Sequence, residues 1–231
     1  MSEKHFPDDA RLVARPVPGR EEIGAGLYAL APFAPGEVVL RLDWRETDKA
    51  EIIAWDDTDT EHQDRCTAIA PQWYFYVSSD HPFWFLNHSC RPNVAYRNWA
   101  ECEDDSVVAL VALREIRPGD EVTIDYSTMT TADDAEEIGG SWTMQCLCGE
   151  PDCRRVLTDF ASLPRERQLQ MVLTREPVTG IVPAFIVNES PALVRELQSR
   201  APELYASFQA ALAAQLRLAQ RFEAEYEESE E

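Results

Sequence analysis

Three cysteines crowd into eight residues in Cys146-Leu147-Cys148-Gly149-Glu150-Pro151-Asp152-Cys153. Thiolates packed this closely around a glycine turn suit a zinc ion, which takes four ligands in a tetrahedron, so a fourth donor must come from elsewhere in the chain. Cys90, inside Asn87-His88-Ser89-Cys90-Arg91-Pro92-Asn93, is the candidate, because a distant fourth ligand would tie the cysteine segment back onto the rest of the fold. Four thiolates around Zn²⁺ leave a net charge of about −2, and Arg154 and Arg155 follow at once to offset it. Cys66 and Cys102 read as small buried hydrophobes instead.

Two further strings carry polar or backbone chemistry. Gly24-Ala25-Gly26 lets backbone amides approach a ligand closely, although glycine pairs also serve ordinary turns. It lacks the third glycine and the βαβ setting of a dinucleotide fingerprint, which argues against a Rossmann domain. Asn87 and His88 are able to hydrogen-bond a polar ligand, and His88 to act as a base or a metal ligand; for such a pair alone a structural role is the commoner one.

The elements that must position these residues are mostly strands. Residues 21–42 predict two short strands joined through the turn 32–36, and residues 71–86, dense in aromatic rings, predict a buried strand and a loop. Further strands are expected over 94–97, 107–113 and 121–126, with Pro118-Gly119 marking a turn. Residues 43–64 are acidic with few apolar anchors and read as a solvated insertion with some helix. After Cys153 the pattern becomes helical. Leu204, Phe208, Leu212 and Leu216 recur every fourth residue, with Phe222 and Tyr226 following, which predicts one helix of about 25 residues with an apolar stripe. That stripe offers a face for packing on the chain's own core or for a homodimer.

Composition bounds the setting. The chain has 231 residues, 45% of them hydrophobic, enough for one sizeable core with an appendage. It has no basic-then-apolar leader and no apolar run near the roughly 18 residues of a bilayer span, so a soluble, cytoplasmic protein without a membrane partner is expected, nuclear in a eukaryotic host. A formal net charge of −21 argues against direct DNA or RNA binding, which needs clustered Lys and Arg, and suits a basic protein partner better. Lys4 and Lys49 are the only lysines.

Taken in order, Gly-Ala-Gly-Leu-Tyr-Ala at 24–29, Phe-Leu-Asn-His-Ser-Cys-Arg-Pro-Asn at 85–93 and Arg-Pro-Gly-Asp-Glu-Val-Thr-Ile-Asp-Tyr at 117–126 resemble the SET domain of protein lysine methyltransferases. The cysteine trio with its arginine resembles that family's post-SET zinc segment. Two positions depart from the family's habit: Trp84 stands where an arginine is common, and Arg155 where a glycine is.

The resemblance implies a mostly β fold of the SET-type β-clip kind, with a pseudoknot that passes residues 85–93 under the 117–126 region, followed by an α-helical C-terminal extension. Residues 1–19 would be an N-terminal segment, 20–130 the SET domain, 131–157 the linker and zinc segment, and 158–231 the extension. It implies S-adenosylmethionine as cofactor, cradled by the backbone of Gly24, Ala25 and Gly26, held by Asn87 and His88 and covered by Leu147. Tyr126 would be catalytic and also border the cofactor, Cys90, Cys146, Cys148 and Cys153 would bind zinc, and Tyr74 or Tyr76 would wall a channel for the lysine. The implied reaction is methyl transfer to a lysine of a basic, histone-like or Lys-rich protein, favoured by the acidic loop 133–137; a non-catalytic adaptor working through the C-terminal helices is the alternative.

Overall fold

The computed structural model describes residues 3–7, 9–43, 50–54, 67–96, 107–130, 143–173 and 182–230. Cys66, Cys102, most of the acidic stretch 43–64 and the acidic loop 133–137 lie outside them. In chain order the strands are β1 (Lys4–His5), β2 (Leu12–Pro16), β3 (Ala25–Ala29), β4 (Val38–Asp43), β5 (Ala50–Ala54), β6 (Thr67–Ala70) and β7 (Trp73–Val77). They continue with β8 (Asn87–His88), β9 (Val94–Tyr96), β10 (Val107–Ala112), β11 (Glu121–Ile124), β12 (Thr143–Gln145) and β13 (Val156–Thr158). Helices follow at α1 (Arg165–Leu173), α2 (Ala184–Asn188), α3 (Pro191–Arg200) and α4 (Pro202–Glu230). The chain is therefore mostly β, with a helical C-terminal part.

The strands form a sheet in the order β1-β2-β3-β11-β8, two three-stranded sheets, β4-β10-β9 and β5-β7-β6, and the hairpin β12-β13. In the first sheet β2 pairs antiparallel with β3 from Leu12 opposite Ala29 to Pro16 opposite Ala25. The N-terminal segment is thus built into the sheet that carries the glycine string. β11 is antiparallel to β3 on one side and parallel to β8 on the other, so residues 87–88 and 121–124, far apart in sequence, lie side by side.

Alternation along β7 shows why the aromatic run is a strand. Trp73, Phe75 and Val77 enter one core with Leu12, Leu27, Phe33, Leu110 and Ile124, while Tyr74 enters a second core with Phe160, Phe185, Leu193 and Phe208. The second core is the seam between sheets and helices. Residues 50–54, expected in a solvated, partly helical insertion, are instead a strand paired to β7, Ile52 opposite Phe75; their β-branched pair Ile52-Ile53 finds apolar partners there, which overrides the acidic surroundings.

The long helix exists, but its buried face differs from the every-fourth-residue stripe. Phe208, Ala211, Gln215, Leu218 and Phe222 are buried, whereas Leu216 is 45% exposed. Four residues turn a helix by about 400°, so a strict four-residue repeat drifts about 40° per step and leaves the core within three steps. The face packs on the chain's own strands: the rings of Phe222 and Tyr226 meet Trp73 at centroid distances of 5.4 and 6.0 Å. No helix among the described residues is long and apolar enough to cross a membrane.

Candidate active site and metal centre

β11 gathers the first half of the site. Its neighbour β3 carries Ala25 and Gly26, and its neighbour β8 is Asn87-His88, with Thr123 beside Asn87 and Ile124 beside His88. Asn93, 6% exposed, extends the contact after β8 ends. Its side chain donates to Glu121 O at 2.8 Å and accepts from Thr123 N at 2.8 Å, so one amide imitates a further peptide of the ladder.

The glycines have separate reasons. Gly24 has φ +84°, a left-handed conformation that side chains rarely adopt. A Cβ on Gly26 would come within 2.9 Å of Asn87 Nδ2 and closer still to the Glu121 carboxylate. Asn87 Nδ2 donates to Ala25 O at 3.1 Å and to Glu121 Oε1 at 2.8 Å, which fixes the amide against β3. Glu121 is held in turn by Arg20, at 3.0 Å from Oε2. The same guanidinium donates to the carbonyls of Leu147, at 3.2 Å, and Cys148, at 2.9 Å. Arg20 therefore joins the glycine strand to the cysteine segment.

Tyr126 follows β11 directly. It was expected at the end of the strand, but it opens a 3-10 turn, Tyr126–Thr128, because the Asp125 carboxylate caps the turn by accepting from Ser127 N at 3.1 Å. The Tyr126 hydroxyl donates to Leu86 O at 2.8 Å and its ring lies 5.5 Å from that of His88. His88 Nδ1 accepts from Tyr126 N at 3.2 Å. Burial pushes the imidazole pKa down to about 4, against the pull of Asp125, so the ring is neutral at pH 7. A neutral ring whose Nδ1 accepts must carry its proton on Nε2, which faces Cys90 Sγ at 3.4 Å.

The second half is the thiol cluster. Ligand atoms of His88, Cys90, Cys146 and Cys148 all lie within 4.8 Å of one another, and Cys153 packs against them with its sulfur 4.0 Å from Cys146 O. Cys90 Sγ and Cys146 Sγ are 3.7 Å apart. Zinc–sulfur bonds of about 2.3 Å require tetrahedral S···S edges of about 3.8 Å, so the spacing fits a metal. Backbone amides also point at the sulfurs, Arg154 N to Cys90 and Arg155 N to Cys153, each at 3.4 Å. The Arg155 amide lowers the Cys153 pKa, while burial raises those of Cys90 and Cys146. Buried thiols in such a group ionise together only around a cation.

A buried carboxylate connects the halves. Asp125, 2% exposed, accepts from Arg154 Nη2 at 2.5 Å, and Arg167 Nη2 stands 3.7 Å from its other oxygen. Arg20, Glu121, Asp125 and Arg167 were not singled out from sequence for these ties. Glu121 and Asp125 lie within the 117–126 string, whereas Arg20 and Arg167 belong to no motif, and only the folded chain brings them in. Of the remaining residues expected here, Leu147 is 38% exposed, Tyr74 is buried in the second core, and Tyr76 is half-buried and edge-on to Trp84 at 6.1 Å.

The glycine, Asn-His and Asp-Tyr strings of this mostly β chain thus meet across one strand, beside a thiol cluster. Residues 24–127 match the family model described as SET domain. It is 28% identical over 144 residues to a histone-lysine N-methyltransferase, H3 lysine-4 specific, of Debaryomyces hansenii, covering 57% of this chain and 12% of that protein. Over 84 residues it is 34% identical to the H3 lysine-36 specific enzyme of Saccharomyces cerevisiae, covering 34% and 10%. Over 77 residues it is 36% identical to histone-lysine N-methyltransferase Su(var)3-9 of Drosophila melanogaster, covering 32% and 12%. The chain thus spans about a tenth of the length of these relatives.

Proposed function

We propose that the chain transfers a methyl group from S-adenosylmethionine to the side-chain amine of a lysine in a basic protein or peptide. The observation that carries this reading is the meeting of Gly24–Gly26, Asn87–His88 and Tyr126 around β11, next to the thiol cluster. The relatives are histone-lysine methyltransferases, which supports the reaction class and makes histone tails the first substrates to try. A net charge of −21 favours such basic chains over nucleic acid.

When bound, S-adenosylmethionine supplies a methyl group already activated by its sulfonium centre. The protein must then align a neutral amine with it and exclude water. The Gly24–Gly26 backbone, Asn87, His88 and Leu147 are the seat proposed for the cofactor. The Tyr126 proton is committed to Leu86 O, so its oxygen is an acceptor for the amine N–H and orients the nitrogen lone pair. Tyr76, rather than the core residue Tyr74, is the ring proposed for the channel wall, where its face attracts the lysine's cationic head on entry, before the amine loses a proton to solvent and becomes the neutral nucleophile.

Cys90, Cys146, Cys148 and Cys153 are the proposed zinc ligands, as four thiolates. His88 belongs to the same cluster, but the proton on its Nε2 makes it a donor to Cys90 rather than a ligand.

Calorimetric titration of the metal-analysed protein with S-adenosylmethionine, followed by methyl-transfer assays on histones and mixed basic proteins, tests the reading. Binding with transfer is expected; absence of binding would sink it in favour of an adaptor. Tyr126→Phe should lower turnover about 100-fold or more while leaving cofactor affinity nearly unchanged.

A further inference from the structure

We infer that Arg167, on the first helix after the cysteine segment, is a positioning residue that braces the metal centre against the turn carrying Tyr126. The inference rests on the proposed metal reading and extends it to a part of the chain outside the SET match.

Arg167 Nη2 donates to Cys90 O at 3.1 Å and stands 3.7 Å from Asp125 Oδ2. The two oxygens of Asp125 are treated differently. Oδ1 accepts from Arg154 and Ser127 N, whereas Oδ2 is buried and accepts no hydrogen bond, so the Arg167 guanidinium is the charge that faces it. One arginine thus touches the carbonyl of a proposed ligand and the carboxylate that precedes Tyr126.

The helix is fixed by other means, so Arg167 holds rather than is held. Gln168 Nε2 shares its two hydrogens among Phe160 O, Ala161 O and Ser190 Oγ, and Met171 and Val172 are buried in the second core. The charges also balance: Arg154 and Arg167 around one Asp125 leave an excess of about +1, which a four-thiolate zinc site of about −2 attracts.

The test uses the full chain with Co²⁺ in place of zinc, following loss of the thiolate-to-cobalt absorption after chelator is added. Arg167→Gln should release the metal about tenfold faster or more, and Arg167→Lys should recover part of the difference. Arg165→Gln breaks the ion pair to Glu196, 3.1 Å, at the other side of the same helix; it should lower the thermal midpoint yet release metal at the unaltered rate. Unchanged release in Arg167→Gln, or equal acceleration in Arg165→Gln, overturns the proposal. A chain that takes up no metal overturns it together with the metal reading. Arg167-dependent release without methyl transfer leaves it standing and rejects only the transferase.

Discussion

Asn87 and Cys146 belong to one centre but are secured in unlike ways. Asn87 lies in β8, which pairs with β11, itself laddered to β3, and its side chain adds to a framework that exists without it. Cys146 lies on the short hairpin β12-β13, which pairs with no other strand among the described residues; thiols, Arg20, Arg154 and Ser127, whose hydroxyl donates to Thr158 O at 2.6 Å, attach it to the domain. A ladder spreads its strength over many bonds, so single changes there should have graded effects. A segment tied by a few side chains should fail abruptly.

The largest expected effect tests the abrupt side: Cys148→Ser should abolish stoichiometric zinc and cofactor binding together, while circular dichroism of the β fold persists. Retained metal would equalise the two halves. Next, Gly26→Ala forces a Cβ into Glu121 and Asn87; overpacking of about 1–3 kcal/mol should appear as a graded loss of cofactor affinity, roughly 5- to 150-fold by calorimetry. Arg20→Ala removes the tie between halves, and because that side chain is 30% exposed the loss is discounted to about 1 kcal/mol, near fivefold in cofactor affinity. An effect equal to that of Cys148→Ser would place the hinge of the segment at Arg20. The smallest effect concerns Arg155, whose φ of +67° costs a non-glycine residue about 1–2 kcal/mol. Arg155→Gly should raise the thermal midpoint by no more than about 2 °C, since glycine's extra freedom when unfolded offsets part of the relief, and Arg155→Val should lower it.

What was legible in the sequence divides along the same line. Strands with apolar alternation, the cysteine spacing and the ordered strings were readable because each is local. The departure at Arg155 was visible too, as a position where the family favours glycine, but only the backbone showed why: the residue is left-handed. Strand β2 escaped because five residues with one proline carry little periodicity, and β5 because acidic neighbours masked it. The ties through Arg20, Asp125 and Arg167 were illegible, since an arginine on a helix has no local mark that names a carbonyl 77 residues away as its acceptor.

β11 has one further consequence, for motion. It lies between the glycine strand and the Asn-His strand, so neither side can part from it without exposing amides bonded to the same short segment. Ala29 N is bonded to Asp120 O, and Ser89 N and Asn93 N to Ile124 O and Thr123 O. Withdrawal of these few residues would free all three amides at once. The two flanking strands should therefore exchange these hydrogens with solvent in a single shared opening, at one rate, rather than breathing separately.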